Sequence, residues 1–173
     1  MTVLLIRHTQ IAESPGLCYG HADVPLAESF LGDAAEVVAR LPWAPQLVLT
    51  SPATRCRRLA EHIVRGSPVK NDIRLRELHM GDWEGRLWES FRGPESEAWA
   101  LDPWNSRPPR GEAAAELWAR VADFRAEVQD CAHEKLAVVT HAGVIRAWLG
   151  LGTGRSLQEM IAVPVPFGSV HVV

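Results

Sequence analysis

Val3-Leu4-Leu5-Ile6-Arg7-His8 and, far downstream, Leu136-Ala137-Val138-Val139-Thr140-His141-Ala142-Gly143 decide how this chain is read. Each begins with four unbroken apolar residues and arrives at a histidine. An apolar run without alternation suits a strand covered on both faces, as in a parallel sheet between helices. Leu47-Val48-Leu49 is a third such run. Helix-period stripes lie between them: Phe30, Ala34, Val37 and Leu41, then Cys56, Leu59, Ala60 and Ile63. The clearest is Leu117, Val121, Phe124 and Val128, within 112–132. Strands alternating with helices predict a three-layer α/β/α sandwich with a mainly parallel central sheet. The strands ending at Ile6, Leu49 and Val139 should lie side by side. A further strand is expected at 69–73. The proline-rich stretch 94–111 reads as an irregular surface excursion. The tail 161–173 is β-prone, and Pro164 and Pro166 place part of it at a sheet edge. No boundary interrupts the chain, so one domain over 1–173 is expected.

Composition excludes several classes. Of the 173 residues, 47% are hydrophobic and 23% charged, which rules out disorder as the main state. The net charge of −3 argues against a broad basic surface, so no nucleic-acid partner is expected. Cys18, Cys56 and Cys131 are odd in number and widely spaced, against a disulfide framework or a zinc ribbon. The apolar run at 3–6 is too short for a secretion signal or a membrane span. A cytoplasmic protein with no membrane partner is the expectation; the sequence leaves monomer and homodimer open.

The chemistry gathers at the strand ends. In open α/β sheets ligands bind at the carboxyl ends of the strands, so His8 and His141 are expected to share one crevice. After the 47–49 run, Ser51 reads as a helix N-cap and Pro52 as the first helical residue, which places Arg55 in the first turn. Arg7, Arg55, His8 and His141 together point to a phosphoryl site. Guanidinium groups grip phosphate oxygens in pairs, and a neutral imidazole can attack phosphorus. No HxH, HExxH or carboxylate cluster occurs, so neither a metal nor another cofactor is expected. A proton donor for the leaving alcohol is sought in residues 75–85. Glu77 leads there, with Asp82 and Glu84 as rivals. Glu112 reads as a complement to the dipole of the following helix.

These residues resemble the histidine phosphatase superfamily, also called phosphoglycerate mutase-like. LIRHT (5–9) resembles its Arg-His-Gly signature, and CYGHADVPL (18–26) its Gly-x-x-Asp-x-Pro-Leu stretch. SPATR (51–55) resembles the segment carrying the second arginine, and LRELHMGDWEG (75–85) the glutamate-bearing loop. PRGEAAAELWARV (109–121) resembles the Gly-Glu-Ser segment and its helix, and VVTHAGVIR (138–146) the His-Gly-Gly-Val-Ile-Arg strand end. Each motif is weak alone; six in the right order are specific. The resemblance implies the phosphoglycerate mutase-like fold and metal-independent hydrolysis of a small-molecule phosphomonoester. It implies His8 as the nucleophile that becomes phosphohistidine. Arg7, Arg55, His141 and the Ala142 amide would hold the phosphoryl oxygens, and Glu77 would be the general acid.

Several positions depart from the family pattern. Thr9 replaces a glycine, Ile11 a hydroxyl residue, Ala27 a helix-capping threonine and Ala113 a serine. Ser14 stands where an asparagine often reaches the phosphate. The compact length and CYGHADVPL look most like the alpha-ribazole phosphatases of cobalamin assembly. Another small phosphatase, a phosphoglycerate mutase and an inactive phosphate-binding module are the alternatives. Tyr19, His21, Trp83 and parts of 94–109 are expected at the pocket rim, although Trp83, like Trp88, Trp118 and Trp148, reads more readily as a core or interface packing residue.

Overall fold

The computed structural model describes residues 1–12, 15–64 and 66–173. β1 (Thr2–Arg7), β2 (Leu47–Thr50), β3 (Val69–Asn71), β4 (Lys135–Thr140) and β5 (Val170–Val172) form one sheet in the order β3-β2-β4-β1-β5. The first four are mutually parallel, and β5 closes the edge antiparallel to β1. The strands ending at Arg7, Thr50 and Thr140 are neighbours, as the sequence predicts.

The apolar strand runs are explained by what covers them. Val3, Leu5, Leu136 and Val138 face one core, shared with α4 (Ala114–Gln129) and α5 (Ala142–Gly150). Leu4, Ile6, Ala137 and Val139 face the other, shared with α1 (Phe30–Ala39) and α2 (Thr54–Ile63). Successive strand residues point to opposite faces, so a strand between two helical layers must be apolar at every position. The result is an α/β/α sandwich.

Four boundaries differ from the sequence reading. The stretch 94–111 is not wholly irregular: α3 spans Pro94–Leu101. Pro94 opens that helix, where its missing N–H costs nothing. The helix buries no residue, so it left no apolar stripe to read. α2 starts at Thr54 rather than Pro52, with Ala53 as its cap residue. β3 stops at Asn71, because the Asp72 side chain accepts the Arg74 N–H at 2.8 Å and caps a 3₁₀ turn at Ile73–Leu75. The long helix begins at Ala114, so Glu112 lies outside it. A short helix, α6 (Leu157–Ile161), precedes the edge strand. No helix among the described residues is long and apolar enough to cross a membrane.

Leu5 is fully buried on β1, between β4 and the edge strand β5. Leu5→Ala is expected to cost about 2–5 kcal/mol, lowering the urea midpoint with an unchanged denaturant slope. A loss within about 0.5 kcal/mol, as at an ordinary surface site, would contradict the two-faced burial of β1.

Candidate active site

The pairing of β1 with β4 sets Arg7 opposite Thr140, so His8 and His141 leave the sheet together. The His8 amide donates to the Thr140 carbonyl at 3.0 Å. The two imidazole rings lie edge to face with centroids 5.2 Å apart, and both are buried. The sequence expected this shared crevice.

The His8 ring is oriented by its own loop. Nδ1 lies 2.8 Å from the Thr9 carbonyl. A carbonyl only accepts, so Nδ1 carries the proton and the Nε2 lone pair is free. Burial, with the Arg55 guanidinium nearby, lowers the His8 pKa to about 3. The same burial, with His8 and Arg55 adjacent, holds His141 well below its ordinary value. Both imidazoles are neutral near pH 7. His141 Nε2 lies 2.9 Å from Ser51 Oγ, and its Nδ1 3.4 Å from an Arg55 nitrogen. Ser51 Oγ also accepts the Ala53 N–H at 3.3 Å, so this residue serves the histidine and the turn before α2 rather than capping the helix.

Arg55 is completely buried in the first turn of α2. Its terminal nitrogens donate to the Ala22 carbonyl at 2.9 Å and the Gly20 carbonyl at 2.7 Å, while its Nε has no partner among the described residues. Carbonyls orient the guanidinium without cancelling its charge, which leaves that charge available for an anion. Gly20 is required by close approach, since any Cβ there would collide with the Leu78 backbone carbonyl. Arg7 donates to the Val165 carbonyl at 2.6 Å, lies 3.8 Å over the Phe167 ring, and also leaves its Nε unpartnered. Ala142 opens α5, where the first amides are free of intrahelical partners. Cys56 sits 3.5 Å from His141 Nε2, but burial pushes its thiol up to about 12, so it stays protonated.

Glu77 faces the same cavity as Arg7 and His8. Its carboxylate accepts the Leu78 amide at 2.9 Å and the Gly143 amide at 3.0 Å. Its rivals are engaged elsewhere. Asp82 pairs with the exposed Arg110. Glu84 accepts the His21, Ala22 and Met80 amides, tying the 20–22 loop that holds Arg55 to the 80s loop. Glu112 is a support rather than a helix-dipole partner. It accepts two bonds from Arg120, at 2.7 and 2.8 Å. The same guanidinium caps the carbonyls of Arg74, Arg76 and Glu77. Neither Arg120 nor Phe167 carried a signal in the sequence. Ser51 did, by its place at a strand end.

The rim agrees with its expectation in part. Tyr19, Trp99 and Pro103 line the cavity as expected, but so do Trp88 and Trp118, which the sequence reads as packing residues. His21 instead stacks on His79 with centroids 4.3 Å apart, and Trp83 is buried beneath the rim with Cys18 and Met80. Trp148 is a packing residue, as expected. Ser14 lies outside the described residues. Among the described residues no group of His, Cys, Asp and Glu is arranged to hold a metal ion.

Two neutral imidazoles and two guanidiniums that donate to carbonyls, at the carboxyl end of a parallel sheet, form an α/β site whose chemistry suits a phosphoryl group. The family model of the histidine phosphatase superfamily (branch 1) matches residues 3–173. The chain is 34% identical over 155 residues to the adenosylcobalamin/alpha-ribazole phosphatase of Salmonella typhimurium, covering 84% of this chain and 76% of that one. It is 30% identical over 168 residues to the Escherichia coli protein of the same name, covering 92% and 83%. The crystal structure of the alpha-ribazole phosphatase from Shigella flexneri matches with a TM-score of 0.91 at 27% identity, over 99% of this chain and 89% of that one. The chain belongs to the histidine phosphatase superfamily and is a phosphatase.

The depressed histidines set a pH dependence of stability. His8 has an ordinary value of 6.5, which it regains on unfolding, and a folded value of about 3. Within that window the unfolded chain binds more protons, so stability rises with pH and is lost as pH falls below the unfolded value. Urea midpoints at about pH 7.5 and about pH 5 should therefore differ, and His8→Asn should narrow the gap. An unchanged gap would argue against a buried neutral His8.

Proposed function

We propose that this chain is a cytoplasmic single-domain phosphomonoesterase. It works through a phosphohistidine on His8, and its substrate is alpha-ribazole 5′-phosphate, in cobalamin biosynthesis. The observation that carries the mechanism is the Nδ1 contact of His8 with the Thr9 carbonyl, which leaves Nε2 deprotonated inside a ring of cationic donors. The substrate assignment is supported by the names of the relatives and by the largely apolar cavity over the site.

The chemistry runs through two displacements. The His8 Nε2 lone pair attacks phosphorus, and the P–O bond to the alcohol breaks. The leaving oxygen takes its proton from the Glu77 carboxyl. Arg7, Arg55, His141 and the Ala142 amide hold the phosphoryl oxygens and stabilise the transferring charge. Glu77, now a carboxylate, takes a proton from water as the water oxygen attacks phosphorus. The P–N bond breaks, inorganic phosphate departs and His8 is restored with its lone pair.

His8→Ala should abolish turnover and acid-labile phosphate labelling of the protein while leaving the fold intact. Near-normal activity in that variant would rule the covalent route out. Glu77→Gln should slow alkyl esters about 10²- to 10⁴-fold but p-nitrophenyl phosphate far less, because nitrophenolate leaves without a proton. Gly143→Ala offers a subtler version. A Cβ at this position would overlap the Glu77 carboxylate, so the variant should reproduce the same selective loss with Glu77 still present. Equal slowing of both ester types by both variants would move the proton donor elsewhere.

A further inference from the structure

The cavity over His8 has two unlike ends. Arg7, His8, Glu77 and Arg146 line the phosphate end; apolar and aromatic side chains wall most of the rest of its roughly 490 Å³. A phosphoryl group fills only the first part. Trp99, from α3, and Trp118, from α4, line the remainder. Both are braced by neighbouring rings. Trp99 stacks on Trp88 with centroids 5.8 Å apart and meets the buried Trp83 edge-on at 5.6 Å. Trp118 meets Trp104 edge-on at 5.7 Å. Indole rings present large, flat apolar surfaces on which another aromatic ring can stack.

We infer that Trp99 and Trp118 are specificity residues that read a flat, uncharged aromatic ring on the leaving alcohol. The ring lies against the tryptophan wall. A charged or heavily hydroxylated body would be desolvated there without partners, at a cost that small sugar phosphates cannot recover. This inference rests on the phosphomonoesterase reading above and adds the residues that select the alcohol.

The test compares alpha-ribazole 5′-phosphate with ribose 5-phosphate. Both expel the same primary ribose oxygen, so only the aromatic base differs. The wild type should favour the first in kcat/KM by about 10- to 100-fold, the range of one stacked base. Trp99→Leu removes the aromatic face. It should raise KM for the ribazole ester about tenfold, with kcat little changed and ribose 5-phosphate much less affected. Trp118→Leu should cut the preference for the base about tenfold. Because α3 buries no residue, Trp99→Leu carries the test even if Trp118→Leu fails to fold. Equal turnover of the two esters by the wild type, or equal slowing of both by Trp99→Leu, would overturn the inference and leave the phosphatase standing. Turnover of p-nitrophenyl phosphate but of neither ribose ester would overturn it too. Phosphate release from no ester at all would remove the hydrolase reading beneath it.

Discussion

The site depends on β1 and β4 ending level. Arg7 pairs with Thr140, and the next residue of each strand is a histidine. That register is held by two buried faces. Leu4 and Ile6 belong to one core and Val3 and Leu5 to the other. A slip of one residue would turn each side chain to the opposite layer and repack both cores. The rings that meet at 5.2 Å are therefore positioned by the packing of two helical layers against the sheet.

The second constraint is electrostatic. Arg55 is fully buried, yet it is tied to two carbonyls rather than to a carboxylate. Carbonyls orient a guanidinium without cancelling its charge, so the field in the crevice stays positive. The same field and the same burial keep both histidines neutral. A neutral imidazole beside cations that are tied to carbonyls suits an incoming phosphate dianion. Acidic groups close to the site are spent on scaffolding: Glu84 holds the 20–22 loop, and Glu112 holds Arg120. Among the described residues, Glu77 is the acid that lines the cavity.

Much of this was legible in the chain. Unbroken apolar runs and helix-period stripes foretold the layers, and the residues just beyond each run foretold the crevice. Elements without a buried face were not legible. α3 buries nothing and begins at a proline, so 94–111 looked like loop. β3 is exposed along its whole length and ends when Asp72 caps a turn. The cap of α2 was misplaced because the Ser51 hydroxyl lies against His141, a partner remote in sequence.

By itself the sequence determined the sheet's interior strands, the helices that cover them, and the identity of the histidines and arginines at the strand ends. Those features are local, written in periodicity and in the residues immediately after each strand. Tertiary structure alone decided that Arg55 is buried on the carbonyls of Gly20 and Ala22, that Gly143 holds the Glu77 carboxylate, and that Trp99 and Trp118 wall the cavity. Each of these joins segments far apart in the chain, and a side chain's partner across such a distance is set by how the layers pack.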